Sequence, residues 1–384
     1  MRDRQPVLFA LMFCLAAFLS ACTSEAPPAP PAPPPFVSLE PYERSEDGAS
    51  RPTLYVSPDG DDAAPGTHDA PLRSIGRAAE LATPGTLVRV AGGKYEESIT
   101  TETSGTADAP ITYLSDPRNA AEVVGTGGEG ATWRNKGDHV EIVGFTITGD
   151  TVDGLLNKGS FVRIIANRVS DFGGGNCIST ARSGYTLHDI DVIANVVHGC
   201  GGSSLDHGIY VSHPGGTVAN NISYGNAGFG IHCWHNCNHL VISNNLVFDN
   251  GEGGILIGQG DDPNNGTVAA DNFIVSNNIA VRNGEYGIEE SGATGPNNRY
   301  LNNNVFDNVA GGLDLHTGQE TGTITEWPEF VDFRMDGSGD YRLRPNSAVI
   351  DAGTTEGAIA MDIVGTPRPR GGGVDVGVYE HADA

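Results

Sequence analysis

Regularly spaced asparagines constrain the fold of this chain more than any other feature. Between residues 167 and 303 an asparagine recurs every 24 to 33 residues, and four of the six precede an aliphatic residue. A second column of Gly-Ile or Gly-Leu pairs runs beside it, starting at residues 154, 208, 230, 254, 287 and 312. Self-similarity at periods of about 20–50 residues is typical of repeat proteins. The asparagine column consists of Asn167, Asn195, Asn221, Asn245, Asn278 and Asn303.

The repeats favour a solenoid of short strands. Each contains an alternating stretch such as "HLVIS" (239–243) or "NFIVS" (272–276), with no helical pattern between them. Coils of this length would stack at the strand spacing of about 4.8 Å. Asparagine and glycine tolerate the left-handed backbone of tight corners, and stacked asparagines can pass amide hydrogen bonds along a ladder. Leucine-rich repeats and propeller blades fit less well, because no leucine consensus recurs and a blade needs about 40 residues.

Stretches at both ends of the repeats carry a resemblance to a known superfamily. Residues 54–95, "LYVSPDGDDAAPGTHDAPLRSIGRAAELATPGTLVRVAGGKY", resemble the opening of pectin-lyase-like β-helix proteins, including polysaccharide lyase families 6 and 9. "YRLRPNSAVIDAG" (341–353) and "DIVGTPRPRGGGVDVGVYE" (362–380) resemble the tail of bacterial surface proteins of the choice-of-anchor type. The resemblance implies an all-β fold, a single-stranded right-handed parallel β-helix over residues 53–330. A C-terminal capping or tail segment would cover residues 331–384.

A short amphipathic helix is predicted at the start of the β-helix. It would cover the open end of the solenoid, whose core is otherwise exposed. The strand "TLVRV" (86–90) would then begin the first coil. We interpret "DGDD" (59–62) as solvated turn residues, because the ligand spacing of a known calcium loop is absent. The helical stripe consists of Leu72, Ile75, Ala79 and Ala82, between prolines at 71 and 84.

The N-terminus predicts export and a lipid anchor. A charged start, an apolar run from Val7 to Leu19 and small residues form a secretory signal over residues 1–21, not a membrane span. "LSAC", ending at Cys22, resembles the bacterial lipobox and implies lipidation of that cysteine, with a chance cysteine as the alternative. Residues 22–52 contain "APPAPPAPPP" and predict a stiff stalk. We expect a protein anchored by lipid to the outer membrane or cell surface.

The net charge of the chain limits the classes of partner that it can bind. The formal net charge is −26. So acidic a chain is a poor ligand for nucleic acid or anionic membrane surfaces, and we expect no nucleic-acid partner. We expect a monomer.

Four cysteines remain after the signal and the lipidated Cys22 are set aside, and their pairing is open. An even number in an oxidising compartment indicates disulfides, and the sequence allows three pairings. Cys177 and Cys200 lie one coil apart, whereas Cys233 and Cys237 could close a small loop. "HCWHNCNH" (232–239) suggests zinc, but it lacks a Cys-x-x-Cys pair and neighbouring strand residues point to opposite sides. We prefer a disulfide-tied corner loop over zinc.

A candidate site follows from the directions of the side chains. If the isoleucines after the glycines point inward, the residues at +1, +3 and −2 point outward. Aromatic rings on such a face suit sugars, and histidine with tyrosine can move protons near neutral pH. The alternative is that these are ordinary surface side chains of the solenoid, with no function. The two middle coils place there His207, Tyr210, Phe229, His232 and Trp234, and neighbouring coils add Lys158, Arg182 and Glu289.

These residues predict an enzyme that cleaves an acidic, uronate-containing polysaccharide by β-elimination. The reaction needs a base, an acid and a cation for the carboxylate. Tyr210 or His207 would be base and acid, His232, Arg182 or Lys158 would meet the carboxylate, and Trp234, Phe229 and Glu289 would bind substrate. We expect Tyr210 and His232 one strand spacing apart, about 4.8 Å, with both side chains facing solvent.

Other functions stay open on this scaffold, which hosts many activities. A C5-epimerase would share the proton abstraction, and a glycoside hydrolase would use two carboxylates, for which Asp206 and Glu289 are candidates. A non-catalytic glycan-binding or adhesion protein would use the same surface. Lyases of families 6 and 9 often use calcium, and Ca²⁺ is an open cofactor here. Its only acidic candidates are Glu289, Glu290, Asp261 and Asp262.

Overall fold

The computed structural model describes residues 51–127, 130–181, 184–260 and 269–381. Within these ranges it contains one helix, α1 (Ile75–Leu81), and 29 strands. In chain order the strands are β1 (Thr53–Val56), β2 (Leu87–Tyr95), β3 (Ile99–Thr101), β4 (Ile111–Gly125), β5 (Ala131–Asn135), β6 (Val140–Val143), β7 (Thr146–Gly149), β8 (Asp153–Asn157), β9 (Arg163–Ile165), β10 (Arg168–Ser170), β11 (Ile178–Thr180), β12 (Asp191–Ile193), β13 (Val196–His198), β14 (Ile209–Val211), β15 (Thr217–Ala219), β16 (Ile222–Tyr224), β17 (Ile231–Cys233), β18 (Val241–Ser243), β19 (Leu246–Phe248), β20 (Ile255–Gln259), β21 (Ile274–Ser276), β22 (Ile279–Val281), β23 (Tyr286–Gly292), β24 (Arg299–Leu301), β25 (Asn304–Phe306), β26 (Gly311–Asp314), β27 (Gln319–Thr321), β28 (Phe330–Asp332) and β29 (Asp340–Leu343).

Successive coils pair in parallel and form three stacks of strands. The first stack contains β1, β2, β4, β6, β9, β12, β15, β18, β21, β24 and β27. The second begins at the far ends of β2 and β4 and continues through β7, β10, β13, β16, β19, β22 and β25. The third, which we call the outer sheet, contains β3, β5, β8, β11, β14, β17, β20, β23 and β26. The architecture is a parallel β-helix, as the repeat predicts.

The inner face of the outer sheet supplies part of the core. The isoleucines of the Gly-Ile column lie opposite one another in consecutive strands, and each is fully buried. Their alternation with outward residues fixes the register, because a slip by one residue would move every side chain to the other face. The aligned residues are Ile178, Ile209, Ile231, Ile255 and Ile288.

The asparagine column forms a buried ladder of amides, as predicted. The Nδ2 group of Asn221 donates to Oδ1 of Asn245 at 3.0 Å, and that of Asn245 donates to Oδ1 of Asn278 at 2.9 Å. The residue in the left-handed conformation is the one before each ladder asparagine, for example Asn220 (φ 56°) and Asn244 (φ 53°). The ladder asparagines therefore hold the coils together, and their predecessors turn the chain.

The predicted N-terminal helix is confirmed. The hydroxyl of Ser74 caps α1 by accepting from the Arg77 N–H, and the side chains of Ile75, Ala78 and Ala79 are buried. The "DGDD" turn is not entirely solvated as expected. The Asp62 carboxylate accepts the backbone N–H groups of Arg73 and Ser74 at 2.9 Å each, and therefore braces the start of the helix.

The cysteines pair only in part. Cys177 and Cys200 form a disulfide. Cys233 and Cys237 are free thiols, and both are completely buried, so the predicted disulfide-tied corner loop is wrong. Cys233 points inward from β17, and the Cys237 thiol donates to the Val211 carbonyl at 3.2 Å. The two residues pack in the core as small apolar side chains.

The C-terminal segment lies along the side of the coils. After the antiparallel pair of β28 and β29, residues up to 381 pack against outward side chains of the second stack, including Tyr224 and Phe248. The Asn244 amide donates to the carbonyls of Asp375 and Gly377, each at 3.1 Å. Corner asparagines of the coils therefore also fix this segment.

Several predictions concern residues outside the described ranges. The signal, the lipidated Cys22 and most of the proline-rich stalk lie within residues 1–50, and Arg182, Asp261 and Asp262 lie in two further gaps. Among the residues that the structure describes, no helix is long and apolar enough to cross a membrane.

Candidate functional site

The outer face of the outer sheet carries a groove of about 600 Å³. The strand register places Tyr210 opposite His232, followed by Leu256 and Glu289 on the next two strands. This order agrees with the outward column deduced from the Gly-Ile spacing. Five of the predicted site residues line the groove together: His207, Tyr210, Phe229, His232 and Trp234.

Two histidines form the centre of the groove. The backbone N–H of Phe229 donates to Nδ1 of His207 at 3.1 Å, and Nε2 of His207 lies 2.5 Å from Nδ1 of His232. Burial lowers the pKa of His207 to about 4, although the charge of Asp206 acts in the opposite direction. Burial, followed by the proximity of His207 and His235, lowers the pKa of His232 well below its ordinary value. Both imidazoles are therefore neutral at neutral pH.

The expectation that the His232 side chain faces solvent is wrong. His232 is 9% exposed and His207 is 2% exposed. The reason is the packing of rings from neighbouring positions, since the ring centres of Tyr210, Phe229 and Trp234 lie 5.5, 5.2 and 5.6 Å from that of His232. An outward position on a strand thus becomes a nearly buried one.

Tyr210 is a poor base in this setting. Burial is the main cause that raises the pKa of its phenol, and the neighbouring Cys237 and Tyr185 act in the same direction. The phenol therefore keeps its proton at neutral pH, so it can donate a hydrogen bond or a proton. Neither Tyr210 nor His207, the two predicted bases, is suited to take a proton near neutral pH.

Glycines on the next coil allow the two large rings to lie flat. A Cβ atom at Gly253 would come within 2.6 Å of the Phe229 ring, and one at Gly258 or Gly260 within 2.3 Å of the Trp234 indole. The Phe229 and Trp234 rings, which come just before and just after β17 in the chain, therefore extend over the backbone of the coil that contains β20. This explains why the coil after "HCWHNCNH" carries small residues at these places.

Carboxylates occupy the C-terminal side of the groove. Glu252 and Glu285 belong to its lining, whereas Glu289 lies beside the groove in the outward column, 8% exposed, and is not itself part of the lining. Burial raises the pKa of Glu289 to about 7, and the charges of Glu285, Asp314 and Glu252 add to the effect. Glu252 and Glu285 were missed from the sequence. The available signal was a glutamate three residues before the inward isoleucine in two consecutive coils.

Two of the predicted cationic residues are not found in the groove. Lys158 follows β8, which is three strands away from β17 in the outer sheet, and it does not line the groove. Arg182 is outside the described residues. Within the described part of the chain, the groove lining contains no lysine or arginine.

Of the acidic residues proposed for calcium, the structure describes Glu289 and Glu290, and these two point to opposite sides of β23. Glu290 points inward, where its carboxylate accepts from Asn298, from the Tyr300 hydroxyl and from backbone N–H groups at residues 316–318. Burial alone would raise the pKa of Glu290, but these hydrogen bonds, led by that of Thr317, lower it overall. The described residues contain no group of three or more His, Cys, Asp or Glu side chains arranged to hold a metal. The zinc alternative for "HCWHNCNH" likewise has no ligand set among them.

Comparison with known proteins identifies the family. A family model described as the Pel9A-like right-handed β-helix region matches residues 54–320. The chain belongs to the Pel9A-like β-helix family. This confirms the predicted single-stranded right-handed parallel β-helix and its resemblance to a polysaccharide lyase scaffold.

Individual relatives resemble this Pel9A-like chain over different extents. A pectate lyase, PEL9 of Emericella nidulans, is 51% identical over 59 residues, which are 15% of this chain and 14% of the relative. The crystal structure of pectate lyase Pel9A superposes with a TM-score of 0.64 and 17% identity, covering 88% of this chain and 99% of that one. The A-module of the mannuronan C-5 epimerase AlgE4 of Azotobacter vinelandii gives 0.52 and 16%, over 65% and 70%. At these identities the structural matches show a shared fold.

Proposed function

We propose that the protein binds a polysaccharide in this groove and cleaves it by β-elimination at a uronate. The observation that carries the proposal is the buried pair of neutral histidines beside Tyr210, packed against the rings of Phe229 and Trp234. Membership of the Pel9A-like family supports it, as do the names of relatives that act on uronate polymers: a pectate lyase and a mannuronan epimerase.

An aromatic ring would bind the sugar chain. The Phe229 and Trp234 rings lie on either side of His232, with centres 5.2 and 5.6 Å from it. Phe229 is only 7% exposed and packs beneath the site, whereas the partly exposed Trp234 ring, one side of which lies against glycine, can offer its other face to the apolar side of a sugar ring. A sugar that stacks on this ring would bring its polar substituents toward His232 and Tyr210.

Glu289 is the best candidate for the base. With a pKa of about 7 it is ionised at mildly alkaline pH and still basic enough to take a proton. It lies two strands from His232 in the same column, about 10 Å by strand spacing. A sugar placed over Leu256 would therefore lie between the carboxylate and the donor groups of Tyr210 and His232.

The remaining steps need donors. During elimination, the bond from carbon to the acidic hydrogen breaks, a carbon–carbon double bond forms, and the glycosidic oxygen leaves with the electron pair. The protonated phenol of Tyr210 can supply a proton to that oxygen, and hydrogen bonds to the uronate carboxylate would stabilise the developing charge. Arg182, outside the described residues, remains our candidate for the cation.

The test is a screen of acidic and neutral polysaccharides with the exported domain, residues 22–384. Unsaturated products that absorb in the ultraviolet would support the proposal, and Glu289→Gln should abolish them. His188→Ala, an exposed histidine outside the groove, serves as the matched control. Inversion of the uronate at C5 without cleavage of the chain would show that the protein is an epimerase and not a lyase. New reducing ends without unsaturated products would show that it is a hydrolase. Binding without turnover would favour the glycan-binding alternative.

A further inference from the structure

We infer that His207 is a positioning residue that fixes the tautomer of His232, so that His232 offers its Nε2–H to the substrate as a neutral hydrogen-bond donor. The inference deepens the proposed function and rests on it for the identity of the substrate. Its structural basis, a chain of three hydrogen-bonding groups, is independent of the reaction.

The chain of groups begins at the backbone. The Phe229 N–H can only donate, and it points at Nδ1 of His207 at 3.1 Å. Nδ1 of His207 must therefore be the unprotonated nitrogen, and the neutral ring carries its hydrogen on Nε2. That Nε2–H faces Nδ1 of His232 at 2.5 Å, which must accept it. The hydrogen of neutral His232 is consequently on Nε2.

The position of the His207 ring is closely determined. The ring packs over Gly228, where a Cβ atom would come within 2.4 Å of Nδ1. The His207 N–H donates to Oδ1 of Asn176 at 2.8 Å, which fixes the backbone beneath the ring. One Asp206 carboxylate oxygen accepts from the backbone N–H groups and the hydroxyl at residues 202 and 203.

Hydrogen-bond geometry and burial both oppose protonation of the pair. A hydrogen on Nδ1 of His207 would meet the hydrogen of the Phe229 N–H, and a hydrogen on Nδ1 of His232 would meet that on Nε2 of His207. The groups that face the pair are the carboxylate of Asp206, which favours a positive charge, and His235, which disfavours it. With both rings at most 9% exposed, burial outweighs Asp206.

The arrangement assigns a chemical role. His232 has no free lone pair toward the groove, so it does not act as the base. It donates to an acceptor oxygen of the bound sugar, either a uronate carboxylate or the leaving glycosidic oxygen. A donor held in one direction before the substrate binds stabilises developing negative charge without reorganisation.

Nitrogen-15 NMR of histidine-labelled protein tests the inference. Long-range correlations between the carbon-bound hydrogens of the imidazole ring and its nitrogens distinguish the two neutral tautomers and the cation. The His232 signals are assigned as those that are missing in His232→Gln. We expect the Nε2–H tautomer from pH 6 to 8 in the wild type. In His207→Leu, His232 should become a mixture of tautomers. His207→Gln, whose amide can still donate toward Nδ1 of His232, should keep the wild-type tautomer.

Turnover provides the second measurement. His207→Leu should lower kcat by at least about tenfold, because the donor is no longer fixed, whereas His207→Gln should recover most of it. His188→Leu controls for the loss of a histidine elsewhere, and melting curves check that each variant is folded. An Nδ1–H or protonated His232 in the wild type, or an unchanged tautomer in folded His207→Leu, would overturn the inference. An intact tautomer without turnover on any substrate would instead overturn only the proposed reaction.

Discussion

Replacing Asn245 by alanine tests the mechanism that holds successive coils together. The side chain is completely buried and makes four hydrogen bonds. Its Nδ2 donates to the Val218 carbonyl and to Asn278 Oδ1, each at 2.9 Å, and its Oδ1 accepts from the N–H and the Nδ2 of Asn221 at 2.9 and 3.0 Å. In Asn245→Ala, Oδ1 of Asn278 still accepts from the backbone N–H of residue 245, and Nδ2 of Asn221 still donates to the Val192 carbonyl.

Two backbone groups therefore lose a partner in Asn245→Ala, namely the Asn221 N–H and the Val218 carbonyl. Leaving a buried polar group without its partner costs about 1–3 kcal/mol, so two such groups should lower the free energy of unfolding by about 2–6 kcal/mol. Urea unfolding followed by circular dichroism measures it, with an unchanged m value required for a two-state comparison. Asn346→Ala removes an exposed asparagine and should change stability by less than about 0.5 kcal/mol. A loss in Asn245→Ala as small as in this control would refute the ladder as a stabilising element.

Three further predictions concern the groove and the anchor. Because its environment raises the pKa of Glu289 to about 7 from 4.5, the native state binds this proton more tightly than the unfolded chain, and stability falls as pH rises through this window. The free energy of unfolding of Glu289→Gln, measured in urea, should thus exceed that of the wild type by about 2–3 kcal/mol at pH 8 and match it at pH 4. The same difference at both pH values would contradict the raised pKa of Glu289. Trp234→Ala should raise KM for a polysaccharide more than it lowers kcat, whereas a fall in kcat alone would place the ring at the reacting bond. Cys22→Ala should release the domain or leave the precursor uncleaved on cell fractionation, and a processed, membrane-bound variant would exclude lipidation.

The sequence predicts the solenoid well because one asparagine and one Gly-Ile pair recur at the same place in most coils. The Asn245 column and the Gly-Ile column each need one position per coil, so their spacing fixes the register and places Tyr210 beside His232. The helix α1 is equally local, since its apolar stripe from Leu72 to Ala82 and its Ser74 cap all lie within one short stretch of the chain. Features determined inside one coil, or by its repetition, can be found in this way.

Features that depend on several coils at once could not be found. Cys233 and Cys237 are buried free thiols that hydrogen-bond to each other, and whether they form a disulfide depends on the path of the chain between them, which their spacing does not reveal. The burial of His232 results from rings supplied by several positions of the fold. The raised pKa of Glu289 likewise depends on carboxylates from neighbouring coils. The C-terminal segment packs on strands more than a hundred residues away, and no local pattern encodes that contact.

The distribution of charge in the groove limits how a uronate can bind. Glu252, Glu285 and Glu289 lie on the C-terminal side, and two like charges about 8 Å apart repel by about 2 kcal/mol at an effective dielectric constant of 20. The donors Tyr210 and His232 lie on the N-terminal side. On the proposed function, a uronate would avoid this repulsion with its carboxylate pointing toward the N-terminal coils. The carboxylates that would weaken the binding of an anionic chain would therefore also favour one orientation of it, with its own carboxylate on the side of Tyr210 and His232.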